Sequence, residues 1–301
     1  MSTLILMLPR FDLYSPANLK EALGLLREKG EGSAILAGGT DLIPRLRARE
    51  LRPKYVVDLS SLKELKYAKR DGSLIKIGAL TTVDEIGKTD LFKNGCDVFR
   101  VVTKKFGGPH IRNVATLAGN LGTAISSSDF IPTFMALDAK VKMVSDGSSR
   151  EITIEQLIPS KRCVTCAPQE IMTEIHFRDL GNNEYCSFEK LGRRVIMDVA
   201  MISSTVCLKL DKSGEKIEDI RAVFNRLKGK VPERAKKTEE YLKGKEYSAK
   251  AVEGALGVLG SELNLTSDYR ASKEYREDMA KVLFKRALAR CVDEIRGGIS
   301  K

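Results

Sequence analysis

The chain of 301 residues has no tryptophan and only two histidines, His110 and His176. Neither histidine has metal-ligand spacing or a sequence-local link to a nucleophile and an acid, so a zinc centre and a hydrolytic triad find no support. Six cysteines are too few for a disulfide scaffold in a chain this long, and they read as reduced, mostly buried thiols. Cys163 and Cys166 stand at metal-binding spacing. No second pair accompanies them, and a structural zinc or iron–sulfur site needs four ligands. The longest apolar run near the start, residues 4–8, is far too short to span a bilayer. It also lacks the basic flank and small-residue cleavage site of a signal peptide, and the expected compartment is the cytoplasm. No GxGxxG follows a strand and no Walker A loop occurs, which leaves a nicotinamide-type Rossmann site and a P-loop without support.

What is present is an ordinary globular composition, 43% hydrophobic and 30% charged, with 51 Lys+Arg against 40 Asp+Glu and a formal net charge of +11. That balance excludes disorder and a fibre, and the length predicts about two domains, each able to bury a core. The basic residues are scattered among acids and not interleaved with aromatics, which argues against a nucleic-acid partner. A positive field also favours a small anionic ligand, such as a phosphorylated cofactor.

Along the chain, the first stretch alternates helix and strand signals. Ser15-Pro16 predicts a helix start, Leu19, Leu23 and Leu26 fall at helical spacing, and Gly30 ends the helix. A strand over residues 33–37 runs into Gly38-Gly39-Thr40-Asp41, a short helix follows over 42–48, and a second strand covers 55–59. Residues 65–80 read as a hairpin turning at Asp71-Gly72. Helices are expected over 83–88 and 95–105, then a loop over 107–129, a helix over 130–137, a strand over 139–145, a turn over 146–149 and a strand over 151–154. Beyond residue 180 the pattern becomes three antiparallel strands (185–191, 199–210, 217–225) and three helices (233–243, 249–262, 272–296). The expected division is 1–180, split near 62, followed by a smaller α+β domain over 181–301.

Two small-residue segments carry the chemistry. Gly38-Gly39-Thr40-Asp41 offers backbone N–H groups without Cβ obstruction, suited to a pyrophosphate, plus a hydroxyl and a carboxylate for a sugar. Ala115-Thr116-Leu117-Ala118-Gly119-Asn120-Leu121-Gly122-Thr123-Ala124 is small nearly throughout, and Ser126-Ser127-Ser128-Asp129 then marks a helix start able to receive phosphate. Either alone could be a surface loop. Together they suggest an extended phosphate-bearing ligand.

The run Ile35-Leu36-Ala37-Gly38-Gly39-Thr40-Asp41-Leu42, the run from Ile111 to Asn120 with Ser128-Asp129, and the closing stretch from Asp268 through Tyr275-Arg276 to Leu288 resemble the FAD-binding subunit of the molybdenum hydroxylases. The resemblance covers nearly the whole chain. It implies an α+β fold: a two-subdomain FAD domain of the vanillyl-alcohol oxidase and p-cresol methylhydroxylase type, then a domain with a three-stranded antiparallel sheet and helices. It implies FAD as cofactor, a large molybdopterin subunit and a small 2Fe-2S subunit as partners in a dimer of heterotrimers, and an external acceptor such as NAD, a quinone, oxygen or ferredoxin. No four-cysteine insertion is present, so no added iron–sulfur cluster is expected.

Carried over by residue, the resemblance makes Ile35, Ala37, Gly38, Gly39, Thr40, Asp41 and Leu42 the wrap around the pyrophosphate. Thr116, Gly119, Asn120 and Thr123 would hold the phosphate and ribityl part, and Asp129, beside Ser128, a sugar hydroxyl. Ile171 would pack on the cofactor, with Phe106 beside the ring and Lys190 near it. The spacing around Arg193-Arg194 differs from the family by one residue. Ala118 replaces the first of a usual Gly-Gly pair, and His110 stands where an amide is common. Read alone, Phe106 is a core residue, Lys190 a solvated lysine and Asp129 an N-cap. No metal site and no general acid or base is expected, because a flavin carries its own chemistry. The competing reading is a stand-alone flavin oxidase of the same fold, although no His or Cys sits in a recognisable attachment motif.

Overall fold

Three sheets, each made from one stretch of chain, organise the molecule. The computed structural model describes residues 8–92, 96–194, 197–225 and 231–299. Residues 4–7 of the early apolar run and Gly95, the expected first residue of a helix, lie outside that set.

The first lobe comprises β1 (Asp12–Tyr14), α1 (Leu19–Lys29), β2 (Ser33–Leu36), α2 (Leu42–Arg47) and β3 (Tyr55–Asp58). Its sheet is parallel, in the order β1-β3-β2. Helix α1 starts later than Ser15-Pro16 implied. Asn18 takes the cap, accepting from the amide of Glu21 at 2.9 Å, while the Glu21 carboxylate accepts from the amide of Ala17 at 2.8 Å. This reciprocal pair satisfies two orphan donors at once. Ala22, Leu23 and Leu26 then bury one helix face against Val57 and Leu59.

The second lobe runs β4 (Ala68–Asp71), β5 (Leu74–Gly78), α3 (Val83–Lys88), α4 (Val98–Lys105), α5 (Pro109–Arg112), α6 (Leu117–Thr123), α7 (Phe130–Ala136), β6 (Lys140–Ser145), β7 (Ser148–Thr153), α8 (Ile154–Leu157) and β8 (Ile171–Arg178). Its antiparallel sheet has the order β4-β5-β8-β6-β7. Three features correct the sequence reading. The segment 107–129 is not a continuous loop: Pro109 opens α5, and Thr116 caps α6 by accepting from the amide of Gly119 at 3.1 Å. The turn expected over 146–149 tightens to Asp146-Gly147, with Ser145 paired to Ser148. Strand β8, absent from the expected elements, lies at the centre of the sheet, with Ile171, Thr173, Ile175 and Phe177 buried on alternate positions.

The last segment holds β9 (Glu184–Leu191), β10 (Ile202–Leu210), β11 (Ile217–Phe224), β12 (Glu233–Arg234), α9 (Lys236–Leu242), α10 (Ala249–Glu262) and α11 (Lys273–Ile299). Three long antiparallel strands stand as expected, extended by the two-residue β12 in the order β12-β11-β10-β9. Glu233 and Arg234 are extended rather than helical, and the Arg234 guanidinium reaches Asp138 at 3.1 Å and Glu239 at 2.8 Å.

This sheet is buried on both faces. Cys186, Phe188, Cys207 and Val223 join the core of the second lobe, beside Phe99 and Phe134. Val206, Leu208 and Phe224 instead pack against Phe284 and Leu288 of α11. Every residue of α7 is buried, so that helix forms the floor shared by the lobe and the sheet. Among the described residues no helix is long and apolar enough to cross a membrane.

A candidate cofactor cleft between two lobes

The site begins where β2 ends. The chain leaves Leu36, turns at residues 38–41 and enters α2, with the amide of Ile43 donating to the carbonyl of Gly39 at 3.1 Å. Gly39 has φ +70°, a left-handed conformation that costs glycine nothing. Gly38 meets the other lobe. A Cβ there would overlap the carbonyl of Val114, immediately before α6. The two small-residue segments therefore touch, backbone to backbone.

Between them lies a cavity of about 400 Å³, within the range of small-molecule sites. One wall is Ile35, Ala37, Gly38, Gly39, Thr40, Asp41 and Leu42; the facing wall includes Thr116, Gly119, Asn120 and Thr123; Phe106 and Ile171 also line it. Among the described residues the amides of Gly38, Gly39, Thr40 and Asp41 donate to no protein acceptor. That row of spare donors suits an anion gripped by main chain. The Asn120 side-chain oxygen accepts from Ser128 Oγ at 2.7 Å, which orients the amide.

Phe106 closes α4 and rests edge-on against Phe130, with ring centroids 5.4 Å apart. A third wall, which sequence reading missed, comes from the segment before β8, through Val164, Cys166, Pro168 and Glu170. Glu170 accepts from Arg150 Nε at 2.6 Å and Nη2 at 2.8 Å, and that bidentate pairing lowers its pKa. Burial pushes the Cys166 thiol up to about 11, so it is protonated at neutral pH. Arg45 and Leu80 are further lining residues that had not been singled out. The alternation in residues 171–178 was the available signal for this side of the cleft.

Ser128, Asp129 and Lys190 do not reach the cavity wall. Ser128, rather than Asp129, caps α7, accepting from the amide of Ile131 at 3.2 Å. The Asp129 carboxylate turns to the seam with the third sheet, where Lys190 Nζ lies 2.6 Å away. Both side chains are buried, and Lys190 Nζ also donates to the carbonyl of Lys105 at 3.0 Å, one residue before Phe106. Lys190 thus braces the backbone that carries the aromatic wall. Burial raises the pKa of Asp129 to about 6 despite Lys190, and its second oxygen has no hydrogen-bond partner among the described residues. Of the histidines, His176 is buried beside Glu174 and Glu151, and His110 is exposed on α5. Among the described residues no group of three or more His, Cys, Asp or Glu side chains is placed to hold a metal ion.

Comparison with known proteins agrees with this geometry. Residues 9–177 match the FAD binding domain in molybdopterin dehydrogenase, and residues 187–291 match the CO dehydrogenase flavoprotein C-terminal domain. The glyceraldehyde dehydrogenase medium chain of Sulfolobus acidocaldarius is 31% identical, over 93% of this chain and 97% of its own. The nicotinate dehydrogenase FAD-subunit of Eubacterium barkeri is 28% identical, over 97% and 99%. Reconstituted CO dehydrogenase from Oligotropha carboxidovorans superposes with a TM-score of 0.89 at 26% identity, covering 96% of this chain and 100% of the matched one.

Two outcomes follow from the geometry. Gly38→Ala places a methyl group into the Val114 carbonyl and is expected to abolish FAD retention on gel filtration. Gly24→Ala, in the open on α1, is the control and should retain it. Equal retention in both variants would contradict the close approach. For Asp129, the folded pKa lies above its unfolded value, so its stabilisation is complete below about pH 4 and is lost as pH rises through about 6. Relative to Asp129→Asn, which does not titrate, the natural chain should lose roughly 2 kcal/mol of stability between pH 4 and pH 7. Urea unfolding of both proteins across that range measures it, and a constant difference would contradict the shift.

Proposed function

The chain belongs to the family of FAD-binding subunits of the molybdopterin dehydrogenases, and from that premise we propose that it carries electrons from a 2Fe-2S protein, through FAD, to an external acceptor. The observation that carries this reading is the cavity enclosed where the two small-residue segments meet. Its chemistry fits the cofactor: unpaired main-chain donors for a diphosphate on one side, hydroxyl and amide side chains on the other, and an aromatic residue at the wall. When bound, FAD supplies the exchange of electron pairs and single electrons.

The protein's part is to bind and orient. We propose that the amides of residues 38–41, with Ile35, Ala37 and Leu42 around them, grip the diphosphate. Thr116, Gly119, Asn120 and Thr123 hold the adjoining phosphate and ribityl groups, with Asn120 aimed by Ser128. Phe106 and Ile171 present apolar surface that keeps water from the ring system. Asp129 and Lys190 act on that surface from behind, through the backbone of Lys105. Lys190 therefore positions an aromatic wall rather than touching the cofactor.

The proposed partners are a large molybdopterin subunit and a small 2Fe-2S subunit, as a dimer of heterotrimers. The proposed acceptor is one of NAD, a quinone, oxygen or ferredoxin. Support comes from the relatives, which are medium chains and FAD-subunits matched over nearly their whole length. We propose the domain division at residues 62 and 180, because each sheet closes within one of the resulting segments. Six free cysteines fit a reducing compartment, and the cytoplasm is the proposed location.

Affinity purification of the tagged chain from its own cells, followed by metal and flavin analysis, tests the assignment. Iron, molybdenum and FAD are expected to co-elute in fixed ratio with two further polypeptides. A lone yellow protein that oxidises small substrates directly would favour a stand-alone oxidase and overturn the subunit reading.

A further inference from the structure

Arg162 joins all three walls of the cleft. It lies in the segment between α8 and β8, and its φ of 62° is a backbone conformation that L residues rarely adopt. Its amide donates at 2.8 Å to the carbonyl of Ala124, the left-handed residue that ends α6. Its guanidinium Nη1 lies 2.9 Å and 3.0 Å from the two carboxylate oxygens of Asp41, in the glycine turn of the first lobe. The other end of the same segment is fastened separately: Arg150 holds Glu170 and also donates to the carbonyl of Thr165 at 2.9 Å. The segment is therefore a strap, fastened to its own lobe at Ala124, Leu157 and Arg150 and tied across the cleft, among the described residues, by the Arg162 side chain.

The charges make sense of that tie. Asp41 lines the cavity, and a bare carboxylate there would repel a diphosphate. Two guanidiniums converge on it, Arg162 and, at 3.5 Å, Arg45, which itself lines the cavity. The three side chains carry a net charge of one positive unit.

Resting on the FAD reading above, we infer that Arg162 is a positioning residue for the cofactor. Its ion pair with Asp41 latches the strap onto the glycine turn, neutralises that carboxylate and leaves Arg45 as the cation facing the diphosphate. The Asp41 side chain acts through the latch rather than by contact with FAD, which its backbone amide faces. The pair is about one-third exposed, so salt screens it and weakens the latch.

The test uses the full-length chain in whatever complex it purifies with, following FAD release into an excess of the apoprotein of an FAD-specific oxidase and hydrogen exchange of residues 160–166. Arg162→Ala is expected to release FAD about fivefold faster or more, with a shallower salt dependence than the natural chain, and to exchange faster in the strap. Arg162→Lys, which keeps the charge, should lie between the two. The exchanged pair Asp41→Arg with Arg162→Asp should recover slow release where each single change does not. Natural release rates in Arg162→Ala, or an exchanged pair no better than its singles, would overturn the latch. If the natural chain binds no FAD, the functional reading fails, and the exchange measurement still decides: unchanged strap protection in Arg162→Ala would overturn the latch, faster exchange would support it.

Discussion

At Gly38 the first lobe comes so near the carbonyl of Val114 that no side chain fits between them. That approach sets the width of the cleft. It places the spare amides of residues 38–41 opposite Thr116, Asn120 and Thr123, and so makes one cavity from segments far apart in the chain. Everything else on the first lobe serves the approach. The parallel sheet aims β2 at the seam, and Gly39 takes the left-handed turn that lets α2 begin at once. A side chain at Gly38 would have to push whole backbones apart, which close-packed interiors resist.

The second requirement is a rigid support behind Phe106 and α6, which line the cavity. Helix α7 supplies it, buried on all sides between the second lobe and the third sheet. The seam there contains an unusual expense for an apolar core: Asp129 and Lys190, buried together, with one carboxylate oxygen unpartnered among the described residues. Buried ion pairs are weak contributors to stability but demanding in geometry. Here the geometry has a use, because Lys190 also fixes the carbonyl of Lys105 and hence the turn that presents Phe106. An edge strand of the C-terminal sheet is thereby tied to the wall of a cleft in another lobe.

Much of this was legible in the chain. The glycine turn after a short strand, the small-residue run before residue 124 and the three long strands after 184 each carry local signals strong enough to read, and the resemblance to a flavin-subunit family rests on the first two together with the closing stretch from Asp268 to Leu288. What escaped had physical reasons. Residues 171–178 alternate only in part, since Met172 breaks the polar phase, and the strand's place at the centre of a sheet depends on partners distant in sequence. Helix α6 is made almost wholly of small residues, so its periodicity is faint and only the Thr116 cap marks it. Asp129 and Lys190 were assigned to the cofactor separately, because nothing local shows that a residue before α7 and one on β9 neutralise each other. Arg162 offered no signal at all: its role depends on a backbone conformation and on a carboxylate more than a hundred residues away in the chain.

The most direct measurement is the flavin content of the purified chain, read by visible absorbance and by mass analysis of what heat or acid releases. The account predicts a yellow protein carrying FAD, not FMN, in equimolar amount. A colourless protein that retains no FAD after incubation and gel filtration would contradict it.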